Sequence, residues 1–210
     1  MNKSKKRIST RAMTILGILT AIEIIMAFTP LGSIPIGPIV ATLAHIPVII
    51  AGVTLGTYAG AYMGALFGLL SFIVHTMMPT ITSFIFTPFF SLGEAGGNPL
   101  SLVICFVPRI VLGISAGLLF ELIAKRDTRK YAAYIIASVV PSLLHTVLVL
   151  GGVYLFFGET YAAAIGQAYD ALLGLIFTVL LTNGIPEAIL AAILAVAVGK
   201  ALEKLARRAG

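Results

Sequence analysis

Four polar residues sit inside apolar stretches, where their side chains are costly and therefore informative. Arg109 lies two to three turns into a long apolar run that begins near Ser101. An arginine at such depth costs about 2.5–3.5 kcal/mol on insertion scales, so it faces the protein interior and has a partner. Two readings are open. It forms a structural ion pair with Glu94, Glu159 or Asp170, or it grips an anionic group of a ligand, bidentately if that group is a carboxylate. Pro108 precedes it and interrupts the helical hydrogen-bond ladder. Asn183 and Glu187 are one helical turn apart around Pro186, on one face. The amide supplies donors and an acceptor, and the carboxyl either accepts from a ligand or bonds between helices. His145, beside Pro141 and Thr146, is a fourth candidate, as a hydrogen bonder in a core or toward a ligand. His45 and His75 fall on other segments, and three histidines so scattered form no recognisable metal site.

The elements that must position these groups follow from composition. The 210 residues are 59% hydrophobic and 10% charged, with a mean hydropathy of +1.07. A soluble domain carries roughly 25% charged residues, so lipid is the expected solvent. The apolar runs are continuous rather than alternating, which excludes a transmembrane barrel. Residues 12–198 form an all-α bundle of six transmembrane helices, between basic tails at 1–11 and 199–210. Helix one spans roughly Ala12 to Phe28, and Thr29 to Pro38 is a proline-rich loop. Helix two spans Ile39 to Leu55, and helix three follows a tight turn at Gly56 to Ala59 and runs to Thr76. The connection from Met77 to Leu100 is too long for a simple turn, and its four phenylalanines argue for a folded cap. Helix four spans Ser101 to Ala124, helix five Tyr131 to Phe157, and helix six Tyr169 to Val198.

Cations cluster before helix one, between helices four and five (Lys125, Arg126, Arg129, Lys130) and after helix six (Lys200, Lys204, Arg207, Arg208). Lys and Arg accumulate in short cytoplasmic loops. Six helices put all three clusters, and hence both termini, on the cytoplasmic side. The net charge of +6 is thus topology and lipid contact, and needs no nucleic acid. Gly60, Gly64 and Gly68 repeat every four residues in helix three, a pattern that lets helix backbones approach closely. Gly17 and Ala21 repeat the spacing in helix one, either for packing or as a docking face for a partner. The single cysteine, Cys105, excludes an intrachain disulfide. No GxxxxGK[ST], HExxH or GxSxG spacing is present, so the chain brings no ATP engine and no familiar catalytic centre. No cofactor or metal is called for.

The run from His45 through Leu55-Gly56 and Gly60-x-x-x-Gly64-x-x-x-Gly68 to Ser71-Phe72 resembles the substrate-binding S component of energy-coupling factor (ECF) vitamin transporters. Pro108-Arg109 and Asn183-x-x-x-Glu187 resemble it too. The resemblance implies a vitamin-capture subunit in a bacterial plasma membrane. It implies a transmembrane coupling subunit, docked at the Gly17 and Ala21 face, and two cytosolic ATPases. The run Pro79 to Pro88 looks most like the pantothenate-type branch, with other vitamins such as riboflavin, pyridoxine or folate as alternatives. On this reading Arg109 takes the carboxylate, and Asn98, Asn183, His145 and Glu187 read polar groups. Ser83 and Phe84 belong to the loop that closes over the ligand. A self-sufficient carrier and a membrane enzyme are the rival classes.

Overall fold

A computed structural model of the chain describes residues 9–36, 39–93 and 95–209. Lys3, Lys5, Lys6, Arg7 and Glu94 lie outside the described residues. Helix α1 (Thr10–Phe28) opens on Ser9, whose hydroxyl accepts from the Ala12 amide. This satisfies one of the four donors that a helix start leaves unpaired. A short 3-10 turn then leads into an antiparallel hairpin, β1 (Ser33–Ile36) with β2 (Ile39–Thr42), in the register Ser33 with Thr42 and Ile36 with Ile39.

Here the structure corrects the sequence reading. Ile39 to Thr42 is strand, and helix α2 (Ile46–Leu55) has ten residues. At 1.5 Å per residue it rises about 15 Å, half of the roughly 30 Å hydrocarbon core. The physical reason is local. Pro47 is stable only in the first turn of a helix, where its missing N–H costs nothing, so it marks a start and not an interior. The β-branched residues before it suit an extended strand. Gly56 alone, at φ +96°, makes the turn into α3 (Thr57–Met77), because that backbone conformation is open to glycine at no steric cost.

After the cap come α4 (Pro99–Ala124), α5 (Tyr131–Ala164), and a last helix in two parts, α6 (Tyr169–Val179) and α7 (Ile185–Ala209). A π-turn at Leu180–Gly184 joins the two parts. Pro186 has no N–H to donate and its ring crowds the preceding turn, so the helix widens there. Helix α5 continues past Phe157 through the expected loop, and Gly166 at φ +68° ends the turn that follows it. The last helix likewise continues past Val198. Its end is rich in Ala, Leu, Lys, Glu and Arg, all strong helix formers, and Glu203 accepts from Lys200 and Lys130.

Five helical segments are long and apolar enough to cross a membrane, the last being α6–α7 as one span, with α2 as a sixth, shorter segment. The chain is a multi-pass membrane protein. Its central crossing is α3 on α4. A Cβ added at Gly60 would overlap the Gly113 carbonyl, and one at Gly64 the Arg109 carbonyl. At Gly68 it would meet the Phe106 ring at 2.9 Å. The backbone of Arg109 is therefore packed directly against α3 at Gly64. Gly17 has nothing within 4 Å of an added Cβ, and Ala21 is exposed.

Candidate functional site

The guanidinium of Arg109 is buried, at 5% exposure, and Nη1 donates to the Ile104 carbonyl at 2.6 Å. That carbonyl lies five residues back, where Pro108 and the glycine crossing disturb the ladder. The planar cation is held between two rings, 5.4 Å from the Phe67 centroid and 5.0 Å from that of Phe86. Such stacking is worth about 0.5–2 kcal/mol and fixes the plane of the fork. Nε has no hydrogen-bond partner among the described residues. No salt bridge reaches Arg109 among them either, so neither Glu159 nor Asp170 neutralises it. Glu94, the third expected acid, is outside the described residues.

Arg109 lines a cavity of about 210 Å³ together with His145, Asn183 and Glu187. Helices α3, α4, α5 and α7 and the hairpin thus converge on one space. Glu187 faces it from α7 and accepts from the Thr42 backbone N–H at 2.6 Å, which ties the last helix to the end of β2. Asn183 reaches it from the π-turn, where the widened backbone displaces the side chain from ordinary helical spacing. His145 contributes Nε2, which is buried and without a partner among the described residues. The sequence placed its histidines apart, yet the His45 and His145 rings are parallel with centroids 6.4 Å apart, and Nε2 of His45 pairs with Ser142 Oγ at 3.2 Å. The described residues hold no group of three metal-ligating side chains. Chemically the cavity is bipolar: a cation and two imidazoles line it together with a carboxyl group and an amide.

Asn98, Ser83 and Phe84 are placed elsewhere. Asn98 is the N-cap of α4: its Oδ1 accepts from Leu100 N at 2.8 Å, and its own N–H donates to Ser101 Oγ at 3.2 Å. Ser83 Oγ accepts from Thr80 N at 2.8 Å and meets His75 Nδ1 at 3.0 Å. Phe84 is fully buried and packs edge-on against Phe157 at 5.8 Å. Its carbonyl accepts from Ser101 Oγ at 2.7 Å. These three hold the cap onto the ends of α3, α4 and α5. The cap's own contribution to the cavity is Phe86, which sequence reading did not single out, as it did not Phe67, Thr42 or Thr146. For Phe86 the signal was the proline-rich, phenylalanine-rich loop; for Thr42 and Phe67 nothing local distinguishes them from core or strand residues. Glu23 was also missed. It is fully buried on α1, one turn from buried Leu19, with both carboxylate oxygens unpaired among the described residues.

A family model for the substrate-specific component of ECF transporters matches residues 11–199. The chain belongs to that family. The pantothenic acid transporter PanT of Lactococcus lactis subsp. cremoris (strain MG1363) is 35% identical over 168 residues, 80% of each chain. Among solved structures, the S-component for biotin from an ECF-type ABC transporter matches with a TM-score of 0.51 at 19% identity, covering 97% of this chain and 95% of that one. At that identity the match speaks for the fold alone. An ECF substrate-specific component of this architecture is a binding subunit, and the bipolar cavity between α3, α4, α5 and α7 is where its polar groups converge.

Proposed function

We propose that this ECF component captures pantothenate, with Arg109 taking the carboxylate. The observation that carries the proposal is the pair of orphaned buried nitrogens, Arg109 Nε and His145 Nε2, on the wall of one cavity. Buried polar groups in native proteins are almost always satisfied, so these two point to a ligand that supplies an acceptor to Arg109 Nε and a polar partner to the His145 imidazole. Pantothenate has a carboxylate at one end, an amide in the middle and two hydroxyls at the other. For the hydroxyls, Glu187 and Asn183 on the same cavity offer acceptors. The cavity of about 210 Å³ is below the roughly 300–1,000 Å³ of sites for drug-sized ligands, which favours a small vitamin over a large aromatic one. The relative from Lactococcus lactis, named for pantothenic acid, supports the same cargo.

On this reading ATP hydrolysis belongs to two partner ATPases, reached through a transmembrane coupling subunit. The open face of α1 at Gly17 and Ala21 offers that subunit a close helix contact. The reading puts both termini on the cytoplasmic side; Arg11, Lys130 and Lys200 at one end of the bundle support it, because cations accumulate on that side. The experiment is isothermal titration of the detergent-purified chain with a panel of water-soluble vitamins. Selective nanomolar binding of pantothenate, about −12 kcal/mol, is expected. Selective binding of another vitamin, or of none by a folded sample, overturns the assignment. In liposomes the chain alone should bind the vitamin without accumulating it.

A further inference from the structure

A second, larger cavity of about 390 Å³ opens at the opposite end of the bundle, among the ends of α1, α2, α4, α5 and α7. Its rim carries Arg11 and Lys130, and its wall carries Ile15, Val53 and Phe120. Lys200 stands beside it, with Nζ 4.6 Å from the centroid of Tyr131 and 5.6 Å from that of Tyr134. Three cations therefore gather here. The acids near them are already engaged. Glu203 is shared by Lys130 at 3.3 Å and Lys200 at 2.9 Å, and it also accepts from the Tyr134 hydroxyl at 3.3 Å. Asp127 accepts from the backbone N–H groups of Arg129 and Ala133, and Glu121 from Thr57. Among the described residues Arg11 has one partner, the Leu202 carbonyl at 2.7 Å. Of the charged residues that line the cleft, two are cations, Arg11 and Lys130, and one is the carboxylate of Glu203.

The depth of this cavity decides what such a charge imbalance could bind. Thr10 begins α1, Leu55 ends α2 and Lys130 precedes α5, so the rim lies where apolar spans meet water and the apolar wall lies about one turn deeper. That is the level of phospholipid headgroups, with glycerol and the first methylenes below. Basic pockets between helices on the cytoplasmic side suit phosphate-bearing headgroups. We infer that this cleft binds the headgroup of an anionic phospholipid, its phosphate held by Arg11 and Lys130 and its glycerol against Ile15, Val53 and Phe120. The site is separate from the vitamin cavity and shares no lining residue with it.

Native mass spectrometry of the full chain, released from nanodiscs of equal phosphatidylglycerol and phosphatidylcholine, tests it. Wild type should retain one phosphatidylglycerol about tenfold in preference to phosphatidylcholine. The doubly neutralised variant R11Q/K130Q should lose that preference, and R11K/K130R should keep it. Ala12→Phe, which fills the cleft without changing charge, should lose retention of both lipids. Melting temperature in lipid-free detergent establishes that each variant is folded. Equal retention of the two lipids by wild type, or an unchanged preference in R11Q/K130Q, overturns the inference. So does a stabilisation by millimolar inorganic phosphate as large as that by phosphatidylglycerol, which would make this a soluble-anion site.

Discussion

If Arg109 binds the ligand's carboxylate, its removal must cost most for ligands that have one. Among the described residues the guanidinium has one hydrogen bond, to Ile104, two aromatic rings against it, and an unpaired Nε. Truncating one partner of a buried, hydrogen-bonded charge pair costs about 2–5 kcal/mol. At 1.4 kcal/mol per tenfold, Arg109→Ala should weaken pantothenate binding by about thirtyfold to four-thousandfold. Arg109→Lys keeps the charge but loses the planar fork, and should lose about one charge-assisted hydrogen bond, tenfold to a hundredfold. The alanine variant also frees the Ile104 carbonyl and a space between Phe67 and Phe86, so an affinity loss alone is ambiguous. A cycle removes the ambiguity. Titrations of wild type and Arg109→Ala are compared for pantothenate and for its alcohol analogue, in which CH₂OH replaces the carboxylate. General disturbance of the cavity weakens both ligands equally, whereas a direct contact leaves a coupling energy. Wild type should prefer pantothenate strongly, and Arg109→Ala should bind the two ligands within a fewfold of each other. The same preference in wild type and variant would refute the assignment of the carboxylate to Arg109.

Glu187→Ala removes the acceptor of the Thr42 amide. A hydrogen bond to a charged group is worth about 1.5–3 kcal/mol, so hydrogen exchange at Thr42 should quicken by about tenfold or more and vitamin affinity should fall. Gly113→Ala drives a methyl group into the Gly60 carbonyl and should destabilise the bundle by at least about 1–3 kcal/mol, seen as a lower melting temperature in detergent. Gly17→Leu, on an open face, should leave melting and vitamin titration unchanged while reducing co-purification with the coupling subunit. Asp127 lies in the loop between α4 and α5. Desolvation is the largest single influence and raises its carboxyl, but the backbone N–H groups of Ala133, Lys130, Ala132 and Arg129 together outweigh it and hold the carboxyl below its ordinary 3.8. A depressed folded value stabilises the protein above the unfolded value, and that stability is lost as pH falls through the folded one. The melting-temperature gap between wild type and Asp127→Asn should therefore be full at neutral pH and close below about pH 4.

Much of the architecture was legible because membranes impose strong rules. Every backbone group in hydrocarbon must pair internally, so long apolar runs could only be helices, and the spacing of cations set which helix ends share a side. Arg109, His145, Asn183 and Glu187 stood out because polar groups in such runs are rare and expensive. By contrast, the residues that hold the cap were not separable from ligand-facing ones. Ser83 and Asn98 carry ordinary turn and capping chemistry, and only the position of the cap over α3 and α4 assigns their bonds. The short α2 was foreshadowed by Pro47, but a run of apolar residues reads alike as helix or strand.

The sequence by itself determined the solvent, the class of fold and the few intramembrane polar groups, since each follows from composition or local spacing, and its motifs carried the family resemblance. Tertiary structure alone decided that four of those groups face one cavity, that His45 stacks on His145, and that Phe67 and Phe86 sandwich the guanidinium. It alone brought Lys130 and Lys200 to the carboxylate of Glu203, with Arg11 on the same cleft, at the other end. The physical reason is that helix rotation and crossing are set by packing over many side chains, here by the glycine contact of α3 on α4. A π-turn then shifts the phase of the last helix, and no periodicity in its own residues records where that phase ends.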